Sequence, residues 1–334
     1  MNGVIPAGWP NGAALWHRVV RHIMDVILHM GAHRTATTTF QYYIRDHLAD
    51  LSKQGVAFWG PQEARKSVFP GLFRSTVSKR IRNPALRAEG RVRMFAAQAQ
   101  ARGVRQLLVS DENMLGNCAQ NLRSGQLYPA AGERAARISA ALGGRVRRIV
   151  LSIRSQELWW ASACALTVSR GHPVPSSAKR EAISHSRRCW RDVITDLACA
   201  APGAEIDVLP FEGYVGQPQA VFGAAFAGEA PADTQGRWLN RSADLRSLRA
   251  GLAEQGSDPD LLPDGAGRWQ PFDTEQSVRL AENYADDMHW LMAGADGLAT
   301  LTETSQPIRA DISLPPAALI KGQGYDKGQL AQHR

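Results

Sequence analysis

The chain has 334 residues, 44% of them hydrophobic, and a formal net charge of +8. That apolar content suffices to bury the core of one α/β domain with insertions, while no stretch approaches the roughly eighteen uninterrupted apolar residues of a membrane span and the opening residues lack the charged and apolar regions of a signal peptide. The positive excess is carried mostly by arginine and points to anionic partners, without separating a polyanion from a small phosphorylated ligand.

Residues 1–23 are broken by Gly and Pro and show no pattern, so they read as an N-terminal extension, with the folded part starting at Met24. Apolar runs ending in small or polar residues occur at Asp25 to Met30, Val56 to Trp59, Arg105 to Ser110, Val146 to Ile153 and Glu205 to Pro210, and each reads as a buried strand. Helical patterns lie between them. Phe40, Tyr43, Ile44, Leu48 and Leu51 share one face, and Ala131 to Leu142 is rich in Ala, Arg and Leu. Strands alternating with helices predict an α/β fold of the three-layer, P-loop type: a central parallel sheet of about five strands, flanked by helices, with its ligand crevice at the carboxyl ends of the strands. The domain is expected over 24–305.

Between Gln62 and Arg102 the basic residues from Arg65 onward face only Glu63 and Glu89. This basic insertion reads as a solvated face or as a surface for an anionic substrate or polyanion. Gly251 to Gly267 reads as a loop. Asp273 to Gln276 is a capping-box start, followed by a helix whose apolar face is expected to be Val278, Ala281, Ala285, Met288 and Met292. Residues 306–334 read as a loosely held tail.

The stretch Gly31-Ala32-His33-Arg34-Thr35-Ala36-Thr37-Thr38 follows the first strand and opens a helix. A strand, a glycine turn and a helix N-terminus together present unbonded backbone N–H groups to an anion. A nucleoside-triphosphatase loop requires a second glycine followed by Lys and Ser or Thr; both are absent here, which disfavours ATP hydrolysis. What remains is Arg34 early in the loop and hydroxyls at the helix start.

These residues resemble the sulfotransferase family that uses 3′-phosphoadenosine 5′-phosphosulfate (PAPS), whose 5′-phosphosulfate loop is close to G-x-[HPR]-[KR]-[TSG]-[GA]-T-[TS]. Arg34 stands where many members have Lys, and Ala36 where many have Gly. The family's 3′-phosphate motif places an Arg at the end of a later strand and a Ser eight residues on, which Arg154 and Ser162 match. Ser110 to Asn113, Trp190-Arg191, Pro210 to Glu212, Asn240 with Ser242, and Tyr284 to Leu291 are similar to patches in bacterial members. Lys321 to Gly324 faintly resembles a segment covering the 3′-phosphate in cytosolic members, at a different spacing.

The resemblance implies a sulfuryl transfer from PAPS to a hydroxyl or amine, with a carbohydrate bearing anionic groups, or another small molecule, as acceptor and no metal required. It implies nucleotide contacts from Gly31, Ala32, His33, Arg34, Thr35, Ala36, Thr37, Thr38, Arg154 and Ser162. Arg34 is expected to stabilise the bridging oxygen and Glu112 to act as base, with Glu63 the rival and His33 shaping the turn.

Two other function classes remain: a kinase-like nucleotide enzyme, and a basic polyanion-binding protein that keeps the fold without the activity. No helix-turn-helix, zinc-finger or RNA-binding aromatic pattern supports specific nucleic-acid recognition. Cys118, Cys164, Cys189 and Cys199 have no metal-ligand spacing and read as reduced thiols of a cytoplasmic protein, and the histidines form no HExxH. The Asn240-Arg241-Ser242 sequon reads as fortuitous, and Trp159-Trp160 as core or pocket wall.

Overall fold

The computed structural model describes residues 24–73, 84–226, 229–233, 236, 239 and 242–302. The expected N-terminal extension, the tail with Lys321 to Gly324, Asn240, and Arg74, Lys79, Arg80 and Arg82 of the basic stretch lie outside the described residues. The strands are β1 (Asp25–His29), β2 (Val56–Trp59), β3 (Gln106–Ser110), β4 (Val146–Ile153), β5 (Glu205–Pro210) and β6 (Thr300–Leu301). All pair in parallel, in the order β2-β3-β1-β4-β5-β6.

Among the described residues the sheet holds the five expected strands and one more. The extra one, β6, is two residues long and pairs Thr300 with Asp207 and Leu301 with Val208. Such a segment carries no apolar run for a sequence pattern to detect.

Strand residues alternate between two cores. Val26 and Leu28 of β1, Leu107 and Val109 of β3, and Ile149, Leu151 and Ile153 of β4 pack on one face with Val92, Ile138, Trp159, Trp160, Val193 and Leu280. Ile27, Leu108 and Val150 face the other side, where Phe40, Tyr43 and Ile44 of α1 (Thr37–Asp46) meet Val221 and Phe222. The result is a three-layer α/β domain.

Two helical expectations need correction. The helix Thr274–Met292 does begin with the predicted capping box, Asp273 and Gln276 each accepting from the other's backbone N–H. Its buried side, however, is Gln276, Leu280, Asp287, Trp290 and Leu291, whereas Val278 and Met292 are exposed by 49% and 62%. Polar anchors decide the orientation: the Asp287 carboxylate accepts from the Trp190 and Arg191 N–H groups, capping the helix Trp190–Ala200. Nor is Gly251 to Gly267 a continuous loop, because a helix Leu245–Glu254, capped by Asp244, runs into it.

All four cysteines are unpaired, and burial pushes the Cys118 and Cys164 thiols up to about 12. Among the described residues no helix is long and apolar enough to cross a membrane.

Candidate anion-binding site

Between β1 and α1 the chain is laid onto β4: Met30 N–H donates to Val150 O at 2.9 Å and Ala32 N–H to Ser152 O at 3.0 Å. Thr35 closes the turn by donating its hydroxyl to Ala32 O at 2.7 Å. Arg34 and Ala36 have φ of 69° and 59°, left-handed conformations that turn the chain sharply before the helix. Ala36 is thus an alanine in the backbone state that glycine adopts most readily.

The N–H groups of Arg34, Ala36 and Thr37 have no acceptor among the described residues, and Thr37 Oγ1 is buried without a partner. Buried polar atoms left unbonded are uncommon. Here they share the positive end of a helix, the chemistry of an anion cradle. Gly31 makes room for it: a Cβ there would lie 2.3 Å from Thr37 Oγ1 and 3.3 Å from the His29 ring. Gly31→Ala is expected to displace Thr37, lower stability by roughly 1–3 kcal/mol and weaken anion binding, measurable as a fall in Tm and in titrated affinity together.

A second cationic cluster adjoins the cradle. Arg154 directly follows β4, and Ser162 lies in the helix Gln156–Ser169. Arg34 Nε donates to Ser162 Oγ at 2.8 Å and its Nη2 to Ser242 Oγ at 2.8 Å, with the two hydroxyls 2.8 Å apart. Arg154 Nη1 donates to Arg34 O at 3.1 Å, its guanidinium lies 4.7 Å from the Phe211 ring centre, and its Nε is buried without a partner among the described residues. Burial lowers the Arg154 pKa to about 10, with Glu212 and Glu157 pulling it up and Arg268 and Arg34 pushing it down; burial also lowers that of Arg34. Arg268, Trp269 and Gln270 complete the recess lined by Arg154, Ser162 and Ser242. The Arg34 guanidinium thus stands at the Ser162 end of the site.

A third feature is a polar network behind the loop. Glu112 lies in a helical turn, Glu112–Met114, just past β3. Arg65, from a π-helical turn Ala64–Val68, chelates Asp111 through Nε and Nη2 and holds Glu112 Oε1 at 2.8 Å. Glu112 Oε2 is buried without a partner among the described residues. Burial alone would raise the Glu112 pKa, but Arg65, through its charge and its hydrogen bond, is the main influence that outweighs it and holds the carboxyl below its usual value.

The Asn113 side-chain amide bridges the two halves, its nitrogen donating to His33 Nε2 at 3.1 Å and its oxygen accepting from Arg65 Nε at 3.0 Å. On the far side of His33, Tyr128 Oη accepts from the His33 backbone N–H at 2.8 Å and lies 2.9 Å from Nδ1. His33 is therefore held within the turn. Glu63 ends a short exposed helix, Pro61–Glu63, and takes no part in these hydrogen bonds.

Beneath the loop, His29 Nδ1 lies 2.8 Å from Ser110 Oγ, and Gln41 Nε2 donates to the same hydroxyl at 3.2 Å. Burial lowers the His29 pKa from 6.5 to about 4. The unfolded chain therefore takes up the proton first, and stability falls as pH drops from the unfolded value toward about 4. That contribution is about 3 kcal/mol; urea titrations of wild type and His29→Gln across this window should show the variant losing that part of the pH slope.

The structure thus brings Gly31 to Thr38 together with Arg34, Arg154 and Ser162, and places Glu112 beside the loop through His33 and Asn113. Sequence reasoning did not single out Tyr128, His29 or Arg268. None carries a local signal, because their partners lie 95, 81 and more residues away or across a recess. Among the described residues no group of three or more His, Cys, Asp or Glu is placed to hold a metal ion. Comparison with models of known protein families, with curated proteins and with solved structures finds no match.

Proposed function

We propose that the chain is a PAPS-dependent sulfotransferase. The observation that carries this reading is the adjacency of two anion sites at the carboxyl ends of β1 and β4: the cradle of Arg34, Ala36 and Thr37 N–H groups with the unpaired Thr37 hydroxyl, and the cluster of Arg154, Ser162, Ser242 and Arg268. Their orphaned buried donors, Thr37 Oγ1 and Arg154 Nε, suit phosphate or sulfate oxygens. In this reading the first site takes the 5′-phosphosulfate and the second the 3′-phosphate. The cleft beside the loop, with Phe40, Phe211 and Tyr214 among its walls, supplies apolar surface for the base.

The donor supplies an activated sulfuryl group for in-line displacement by a hydroxyl or amine. The new bond joins the acceptor oxygen or nitrogen to sulfur, and the bond broken is that from sulfur to the phosphate oxygen. This chain's residues then act by position and charge. The loop N–H groups hold the phosphate, and Arg34 exchanges its serine hydroxyls for the oxygens on which charge develops. Glu112 Oε2 takes the acceptor proton. Its low pKa keeps it ionised, and Arg65 fixes it through the other oxygen.

The test is calorimetric titration with 3′-phosphoadenosine 5′-phosphate, ADP and Mg-ATP. Tight binding of the bisphosphate alone is expected. A bisphosphate that binds no better than ADP would remove the reading and leave a kinase-like or polyanion-binding protein as the alternative.

A further inference from the structure

Both anion sites rest on one buried aromatic block. Tyr128, Trp159 and Trp190 are each at most 1% exposed, with ring centres 5.4 Å apart for Tyr128 and Trp159, 6.1 Å for Tyr128 and Trp190, and 6.3 Å for the two tryptophans. Two polar atoms of this block point in different directions, while Trp159 Nε1 has no partner among the described residues. Tyr128 Oη receives the His33 N–H at 2.8 Å, inside the anion loop, while Trp190 Nε1 donates to Arg154 O at 2.8 Å, at the second site.

The block is itself anchored. Tyr128 has a φ of 44°, a strained state for an aromatic residue, held by Arg188, which donates to Leu127 O at 2.6 Å and to Tyr128 O at 2.9 Å. Trp190 is fixed by its N–H to the Asp287 carboxylate at 2.9 Å. Strain of this kind persists where the surroundings over-determine it, and here those surroundings connect the two halves of one site.

We infer that Tyr128, Trp159 and Trp190 act as a ruler that sets the spacing between the two anion sites, making Tyr128 and Trp190 positioning residues for discrimination between a nucleotide with phosphates at both ends of the ribose and one with a single phosphate. The inference rests on the nucleotide reading above. A ligand held at one end reaches the second site as an intramolecular event, so its gain in affinity depends on how well the two sites are spaced. A ligand with one phosphate does not sense that spacing.

Tyr128→Phe keeps the ring and removes only the hydroxyl; Trp190→Phe keeps an aromatic and removes the N–H donor. Calorimetric titrations with 3′-phosphoadenosine 5′-phosphate and with adenosine 5′-phosphate, at matched Tm, are the test. Each variant is expected to lose about tenfold or more for the bisphosphate and less than about twofold for the monophosphate. Equal losses for both ligands, or none for either, overturn the ruler while leaving the nucleotide reading in place. A wild-type protein that binds neither ligand overturns both. If Trp190→Phe unfolds the protein, the ratio measured in Tyr128→Phe decides alone.

Discussion

Arg154→Ala should raise the Kd for 3′-phosphoadenosine 5′-phosphate by the largest factor of any single change in the nucleotide site. The side chain is buried, its Nε has no partner among the described residues, and its Nη1 is the donor on the Arg34 carbonyl, so truncation removes a support of the loop and, in the proposed reading, a ligand contact as well. Loss of a desolvated, charge-assisted partner costs roughly 2–5 kcal/mol, or roughly thirty-fold to several thousand-fold in Kd. Adenosine 5′-phosphate, lacking the 3′ group, should lose far less. Arg154→Lys is expected to recover only part of the affinity, because an ammonium does not reproduce the planar fork that spans Phe211 and the loop carbonyl. Full affinity in the alanine variant would separate Arg154 from ligand binding.

Glu112→Gln is expected to cut sulfuryl transfer by about 10²–10⁴-fold while leaving nucleotide affinity nearly unchanged. The amide keeps the shape but has no basic oxygen, and Arg65 retains its chelate on Asp111. The pH dependence gives an independent check. The proposed base acts when deprotonated, and the Glu112 pKa lies below the usual carboxylate value, so the rate of the wild-type protein should hold through mild acid and fall only below the ordinary carboxylate range. Arg65→Ala removes the main charge that lowers it and should move the acid limb upward. The sign is the same for stability: a depressed carboxyl contributes above its unfolded pKa and loses that contribution as pH falls through the folded one. Wild-type turnover in Glu112→Gln would take the proton-accepting role away from this residue.

The strands and the loop were legible because buried parallel strands are written as continuous apolar runs, and because a glycine, a basic residue and hydroxyls at a helix start form a local pattern. Arg154 and Ser162 were picked out by the resemblance to the PAPS-dependent family, and a strand end followed by two turns of one helix fixes their register once the pair is noticed. What escaped was non-local. The helix Thr274–Met292 reads apolar along Val278, Ala281 and Ala285, yet Asp287 and Gln276 turn it the other way through partners about a hundred residues distant. Tyr128 sits in a loop before Pro129, where nothing in the neighbouring sequence marks a hydroxyl that will meet His33. Arg65 lay in plain view, but as one of many basic residues; only the fold distinguishes the one turned in toward Asp111 from neighbours such as Arg93, which pairs with Glu89 on the exposed side of its own helix.

The sheet order separates two kinds of change open to this chain. The loop, Glu112 and Arg154 rise from β1, β3 and β4, the adjacent central strands, whereas β2 and β6 form the rims. The two rims are not equivalent: the segment after β2 carries Arg65, which pairs with Asp111 and Glu112, whereas among the described residues β6 carries no residue of the candidate site. Change at the β6 rim therefore leaves the floor of the crevice as it is, whereas change after β2 reaches Glu112 through Arg65.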